Sequence, residues 1–588
     1  MPETAPPQDS RRLAALVGLA FLLLYGATAA TTVGGLDSGE LTAVAHNGGL
    51  PHPPGFPTYV LFAGFIQHVL PGAPAHLSAL ASAVSEAGAC GLLTLLLLRL
   101  GVRPFFAVLA AASFGLLPET WHLATQQEVF PLLHLAMMGI LVAAWGLLAA
   151  PGPWRTAVLG LLCGLGAGVH PTILWTTPVV LVALIRSGVW RRPRASSVGR
   201  QPGGVSIGIA LGLAGLLLGS ATQLYLPWAR DFGGLPAWRS ASIVDHILRR
   251  DYGTAELGLA NDGAVPCLWR YLLHLVQDGA GLLPVLVALG LWAALRDRGP
   301  ERAFKRALVA AWGLAAVGFF LIARLPETPF FDQIGARFFP TADLLGALLV
   351  GLGLEALGAV GAVKTPLLKL GVPAWVATVG LLALPAGPSM GRDIVERYAN
   401  DLLSNLAPNA VLIVSGDDRV SAFYDALYAR DVRPDIELVV EPLLPHPWYA
   451  EQVFGGTGFQ QPAGRSGIRP LVEHCLAGGR PVYVTEVLPE TLAGRFATFP
   501  EGLALRVLTA DRPGPSPADV EARAERFAAA HAPLGLEDWR VPTHTETDLL
   551  AAYGRPWVFL AAAYRAAGDS AGEARCRAKF AQVLPTSP

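Results

Sequence analysis

Two carboxylates three residues apart, Asp37 and Glu40, stand in Gly35-Leu36-Asp37-Ser38-Gly39-Glu40-Leu41, just after the first long apolar run, Leu13 to Ala30. On a short helix they share one face. His46 follows and is expected on a similar face, two turns on. His52 comes next, among Pro51, Pro53, Pro54 and Pro57, which forbid helix and predict a stiff, extended segment. A carboxylate in a partly dry pocket can take a proton from a hydroxyl nucleophile. Histidines beside it can contact a phosphate or a sugar. Plainer uses stand next to these. Asp or Ser followed by Glu is also a helix-capping signature, and a histidine at a membrane interface often serves only as a hydrogen-bonding group.

Other polar residues interrupt apolar runs. Glu128 opens one, after Gln126-Gln127, and His170-Pro171 breaks another in the middle. Arg249 and Arg250 lie in Leu248-Arg249-Arg250-Asp251-Tyr252-Gly253, and Arg337 in Gly335-Ala336-Arg337-Phe338-Phe339-Pro340. A guanidinium grips a phosphate with two parallel hydrogen bonds, so these arginines suit an anionic lipid head; snorkelling to bulk lipid phosphates is the alternative. The five cysteines, Cys90, Cys163, Cys267, Cys475 and Cys576, form no CxxC, no zinc signature and no disulfide framework.

The elements that must position these groups are membrane spans. Hydrophobic residues make up 53% of the 588 and charged ones only 15%, against about 25% charged in soluble domains. Net charge is −1, which excludes the basic footprint of a nucleic-acid binder. Apolar runs at 13–31, 77–98, 104–119, 129–149, 156–169, 171–186, 205–228, 268–295, 305–323, 339–360 and 366–387 predict about eleven spans. Arg11 and Arg12 before the first run would also suit a signal peptide, but only a weak Ala27-Thr28-Ala29 resembles a cleavage site, so an uncleaved first span is expected.

The segment 56–70 is apolar but short and proline-flanked. Taken as interfacial or re-entrant, it leaves the basic clusters on the side of the N-terminus: Arg11/Arg12, Arg99/Arg103, Arg155, Arg186 to Arg200, Arg296 to Arg306 and Lys364/Lys369. That is the cytoplasmic side. The Asp37 loop, Glu119 to Glu128, His170, the loop 229–265, Arg324 to Arg337 and all residues after 388 then gather on the outer face. Ionisable groups at membrane depth are expensive and mark function by default.

After Pro388 the pattern changes. Arg392 to Leu406 reads as an amphipathic helix, 410–417 as a strand ending in a turn, 421–430 as a helix, and 436–440 and 481–485 as further strands. The alternation predicts a small α/β domain. From 513 the pattern is helical, and 560–568 resembles one helix-turn-helix repeat of tetratricopeptide type. The expected division is 1–388 bundle, 389–512 α/β domain and 513–588 helical segment.

A transporter or flippase would carry polar groups on both sides of mid-membrane and an internal repeat of spans; neither is visible. An inert bundle serving as an envelope scaffold leaves Asp37, His52 and Arg337 unexplained. The one-sided polar face favours an enzyme acting on a lipid-borne substrate.

Leu36-Asp37-Ser38-Gly39-Glu40 followed by His52-Pro53-Pro54-Gly55-Phe56-Pro57-Thr58-Tyr59 resembles the N-terminal signature of a membrane-protein family whose animal member is an endoplasmic-reticulum protein O-mannosyltransferase acting on plexin-type receptor domains. The likeness continues at Glu128, Gly168-Val169-His170, Tyr225-Leu226-Pro227, Arg249 to Gly253, Arg337 to Pro340, Pro408 to Leu412, Ser415-Gly416-Asp417 and Val432 to Asp435. The resemblance implies a polytopic α-helical glycosyltransferase of GT-C type with a polyprenyl-phosphate sugar as donor; attack opposite the departing lipid phosphate makes the expected reaction inverting, and with no metal-ligand cluster in the sequence no metal or cofactor is expected. The resemblance also implies Asp37 as catalytic base with Glu40 beside it. His46, His52, Glu128, His170, Arg249, Arg250 and Arg337 are then the candidates for holding substrate. Abundant Ala, Gly, Pro and Arg suit a GC-rich bacterial genome, hence an undecaprenyl carrier, an inner-membrane location and a periplasmic active face. The expected acceptor is a hydroxyl, on protein Ser/Thr, a glycan or a lipid.

Overall fold

Apolar length builds the bundle, and glycine and proline cut it. The computed structural model describes residues 8–189, 204–233, 238, 242–252, 264–323, 325–359, 366–457, 467–486, 494–531 and 541–583. The first half contains α1 (Gln8–Thr28), α2 (Ser38–Asn47), α3 (Pro57–Val69), α4 (Pro74–Arg99), α5 (Pro104–Gly115), α6 (Pro118–Ala124), α7 (Phe130–Ala149), α8 (Pro153–Ala167), α9 (Thr177–Ser187) and α10 (Gly204–Ser220). The second half of the bundle adds α11 (Tyr225–Phe232), α12 (Ile243–Ile247), α13 (Ala264–Gln277), α14 (Leu283–Arg296), α15 (Arg302–Gly313), α16 (Phe319–Ala323), α17 (Pro329–Ala336), α18 (Phe339–Ala359) and α19 (Pro366–Ala383).

Among the described residues six helical runs are long and apolar enough to cross a membrane, and the bent pair α5–α6 makes a seventh. This is fewer than the eleven expected. The shortfall has local causes. The run 268–295 is not one span: Ala280 and Gly281 take left-handed backbone and separate α13 from α14. His170-Pro171 opens a 3₁₀ turn before α9, leaving 171–187 short. The 56–70 segment is the 13-residue α3, too short to span. The basic residues Arg191, Arg192, Arg194 and Lys364, and about half of the loop 229–265, lie outside the described residues.

Helices α8 and α10 meet through glycine. A Cβ on Gly160, Gly164, Gly215 or Gly219 would stand 2.1–2.3 Å from a carbonyl oxygen of the opposing helix, so no larger residue permits this approach.

After the bundle come α20 (Ile394–Ser404), β1 (Val411–Val414), α21 (Asp417–Tyr424), β2 (Glu437–Val440), α22 (Pro447–Thr457), α23 (Ile468–Ala477), β3 (Val482–Val484), β4 (Phe496–Glu501) and β5 (Ala504–Thr509). The sheet runs β2-β1-β3-β5-β4, with β1, β2 and β3 parallel and β5 antiparallel to both β3 and β4. The three parallel strands match the sequence reading. The β4–β5 hairpin does not, because Pro500 inside β4 argues against a strand; its turn uses Gly502 at φ +63°. Four helices follow: α24 (Pro517–Ala530), α25 (His544–Ala552), α26 (Arg555–Ala566) and α27 (Ser570–Val583). The last two form an antiparallel pair turning at Gly568, where the repeat-like pattern predicted one.

The two halves are joined at α2. The Gly39 amide donates to Ser421 Oγ of α21 at 2.7 Å, and a Cβ at Gly39 would lie 1.8 Å from the Ser421 carbonyl oxygen.

Candidate functional site

Asp37 occupies the N-cap position of α2 but makes no side-chain cap. Its Oδ2 instead accepts from Arg337 Nη1 at 2.6 Å. The same Nη1 lies 3.3 Å from Glu128 Oε1. One guanidinium thus links the first loop, the start of α7 and the turn before α18.

Glu40, one turn into α2, accepts from the His52 amide at 2.8 Å and pairs with its ring Nδ1 at 2.5 Å. The opposite ring nitrogen, Nε2, lies 3.9 Å from Asp37 Oδ2. The proline-rich segment that carries His52 is a tight turn rather than the extended segment expected. Gly55 takes φ +100°, Phe56 takes φ +42°, and Pro57 starts α3 at its first turn, where a missing N–H costs nothing.

The electrostatics follow from burial and partners. Burial alone would raise the Asp37 pKa, but Arg337 and then His52 outweigh it and hold the carboxyl near about 2. Burial opposes charge on His52, yet Glu40 and Asp37 lift it to about 9, so it is an imidazolium at neutral pH. Glu128 is pushed up to about 7 by burial, with Arg337 pulling it down and Asp37 pushing it up. Burial first, then Arg249, Arg337 and His52, lower His170 to about 3 against a small upward pull from Asp37.

His170 is stacked on Phe56, at 5.8 Å between ring centroids, and packs against Phe130 and Phe338; its Nδ1 pairs with Thr172 Oγ1 at 2.7 Å. It is a neutral ring in an aromatic wall beside the charged cluster. Arg249 follows α12, whose His246 packs on Gly55, and its charge acts on Asp37, His52 and His170.

Two expected residues are not brought in. Arg250 points outward and pairs with Asp245 at 2.5 Å. His46 stacks on His68 at 5.8 Å. Nine residues after Asp37 is two and a half helical turns, which turns His46 to the opposite face of α2.

A cavity of about 280 Å³ adjoins the cluster, lined by Gly35, Leu36, Glu119, His122, Gln126, Glu128, Asp332, Gln333, Arg337 and Thr543, among others. Of these Glu119, Asp332, Gln333 and Thr543 belong to segments expected on the outer face but are not among the candidate site residues read from the sequence. Glu119 follows Pro118 at a break in an apolar run, a usable signal. Thr543 begins a Thr-x-x-Glu capping box with Glu546, also legible, though nothing local ties it to Asp37. Gln333 bonds Thr545 and so fastens α25 to α17. Among the described residues no three His, Cys, Asp or Glu side chains converge to hold a metal ion.

The sequence profile described as "Protein O-mannosyl-transferase TMEM260 N-terminal domain" matches residues 37–192, the stretch containing Asp37, Glu40, His52, Glu128 and His170. Protein O-mannosyl-transferase TMEM260 of Mus musculus is 26% identical over 434 residues, covering 71% of this chain and 60% of the mouse protein. Its Dictyostelium discoideum namesake is 22% identical over 491 residues, covering 74% and 58%. This chain is distantly similar to TMEM260. It spans less than two thirds of the length of either relative. Among solved structures, ArnT from Cupriavidus metallidurans bound to undecaprenyl phosphate superposes with a TM-score of 0.52 at 15% identity, covering 86% of this chain and 99% of ArnT. Apo ArnT gives 0.50, also at 15% identity, with 86% and 98% covered. The fold is ArnT-like, a helical membrane bundle with a small mixed sheet after it.

Proposed function

We propose that this protein is an inverting GT-C type glycosyltransferase. It moves a hexose, in our reading mannose, from a polyprenyl-phosphate donor to an acceptor hydroxyl of protein Ser/Thr on the outer face of the bacterial inner membrane. The observation that carries this is Asp37, an ionised carboxylate flanked by Arg337 on one side and the His52 imidazolium on the other. The names of the TMEM260 relatives and the undecaprenyl phosphate bound to ArnT support the choice of reaction and donor.

The acceptor oxygen attacks the anomeric carbon as its proton passes to Asp37. A new carbon–oxygen bond forms on one face while the bond to the lipid phosphate breaks on the other, so configuration inverts. The phosphate leaves as an anion, stabilised by Arg337, Arg249 and His52. A lipid phosphate needs no proton to depart. The Arg337 contact makes Asp37 a weak base in the empty site. A donor phosphate competing for that guanidinium restores basicity when it is needed.

The test is a membrane assay with radiolabelled polyprenyl-phosphate mannose, comparing wild type with Asp37→Asn. Label in a protease-sensitive product from wild type alone is the expected result. Label in a protease-resistant product moves the acceptor to glycan or lipid. Equal labelling, with other sugars also tried, overturns the catalytic reading and favours a scaffold or transporter.

A further inference from the structure

The cavity behind Arg337 is walled by carboxylates, and two of them have hydrogen-bonding capacity to spare. Glu128 is 2% exposed, and its Oε2 has no hydrogen-bond partner. Glu119 is half-buried and makes no hydrogen bond or ion pair among the described residues. Asp332 adds a third carboxylate, paired to Arg270 at 2.7 Å. Among the described lining residues Arg337 is the one cation, already engaged by Asp37 and Glu128, and the charge of His274 reaches Glu119 from outside the lining. Such a wall offers unfilled acceptors to hydroxyls, amides or ammonium groups and no free cation to an anionic phosphate.

Positive charge collects elsewhere. His52 and Arg249 do not line the cavity. They adjoin α11 and α12, where Trp228, Phe232, Val244, Ile247 and Leu248 are exposed apolar side chains suited to lipid. Asp37 is held on one side by Arg337, which lines the carboxylate-bearing cavity, and faces His52 of the cationic, lipid-facing side on the other. The cavity is closed by Thr543 at the head of α25, from the soluble C-terminal part, and α25 is tied to α17 through Thr545 and Gln333. Inverting displacement requires nucleophile and leaving group on opposite faces of the anomeric carbon. If the phosphate sits on the cationic side, the nucleophile enters from the cavity.

Resting on the function proposed above, we infer that this acidic cavity is the acceptor subsite and that it selects a hydroxyl-bearing segment that is uncharged or cationic. Glu119 receives the flanking hydrogen-bond donors or positive charge of that segment. The polyprenyl phosphate does not enter.

The experiment uses the full chain in nanodiscs and a fluorescent threonine peptide flanked by lysines, with a glutamate-flanked twin. Binding is read by anisotropy, with no donor present, for wild type and Glu119→Gln. The expected result is measurable binding of the lysine peptide, at least five-fold weaker in Glu119→Gln, with the glutamate twin weaker than the lysine peptide on wild type. Undecaprenyl phosphate added in excess leaves the peptide bound. Equal affinity for the two proteins, no binding to wild type, or displacement by undecaprenyl phosphate each overturns the proposal, the last by assigning the cavity to the donor. In the transfer assay Glu119→Gln raises the KM for peptide at least five-fold and leaves the KM for donor within two-fold; the reverse split overturns it. Glu119-dependent peptide binding in a protein that transfers no sugar leaves the subsite standing and removes only the transferase reading.

Discussion

Glu40 accepts from His52 twice, from the backbone amide at 2.8 Å and from ring Nδ1 at 2.5 Å. The two contacts fix both the position and the rotation of the imidazole, leaving Nε2 toward Asp37. The Glu40 charge also keeps the ring protonated.

From this, Glu40→Gln retains an acceptor for the amide but loses the charge. His52 in wild type has its pKa raised from 6.5 to about 9, so its stabilising charge is fully present below about 6.5 and lost as pH rises through about 9. The alkaline limb of the rate–pH profile should therefore fall near pH 9 in wild type and move toward neutrality in Glu40→Gln. Unmoved limbs would show that His52 does not govern activity.

Arg337 neutralises two carboxylates at once, with its own side chain 11% exposed. Arg337→Met should cost about 3–5 kcal/mol, since removing one partner of a buried pair leaves the others unpaired. Adding Asp37→Asn should restore part of the loss, with a coupling of about 0.5–3 kcal/mol in a double-mutant cycle of thermal unfolding. Simple additivity would refute the shared ion pair.

Arg249 and Arg250 should separate cleanly. Arg249→Ala is expected to raise the KM for polyprenyl-phosphate sugar roughly ten-fold, as for loss of a charge-assisted phosphate contact. Arg250→Ala should stay within two-fold, because its partner is the outward Asp245. Equal effects would show that the 249–252 turn rearranges on binding.

Arg392 and Glu546, both buried, pair at 2.6 Å and tie α25 to the end of the bundle. Arg392→Ala should cost about 3–5 kcal/mol and expose 541–552 to limited proteolysis. Unchanged proteolysis would mean that α25 is held by packing alone.

How legible the site was depends on how each residue is placed. Asp37, Glu40, His52, Glu128 and Arg337 each announce themselves by interrupting or flanking an apolar run, where a charge needs a reason. His46 lies away from the cluster because nine residues along a helix turn it to the far side. Arg250 was paired with Arg249 because sequence does not tell which of two adjacent side chains turns inward. Thr543 reaches the cavity only through tertiary packing of α25 on α17, which no local pattern encodes. The parallel strands were legible from their apolar runs, whereas the β4–β5 hairpin hid behind Pro500. Span number was over-read because apolar length does not reveal where Ala280 and Gly281 break a run.

The contact between Gly39 and Ser421 joins residues 382 positions apart. Translation therefore delivers α2 long before the surface on which it docks. Until α21 has been made, moved to the same side of the membrane and folded, the helix bearing Asp37 and Glu40 has no seat, and the candidate site stays unassembled in the nascent chain. The protein comes of age late: its first loop waits for its last third.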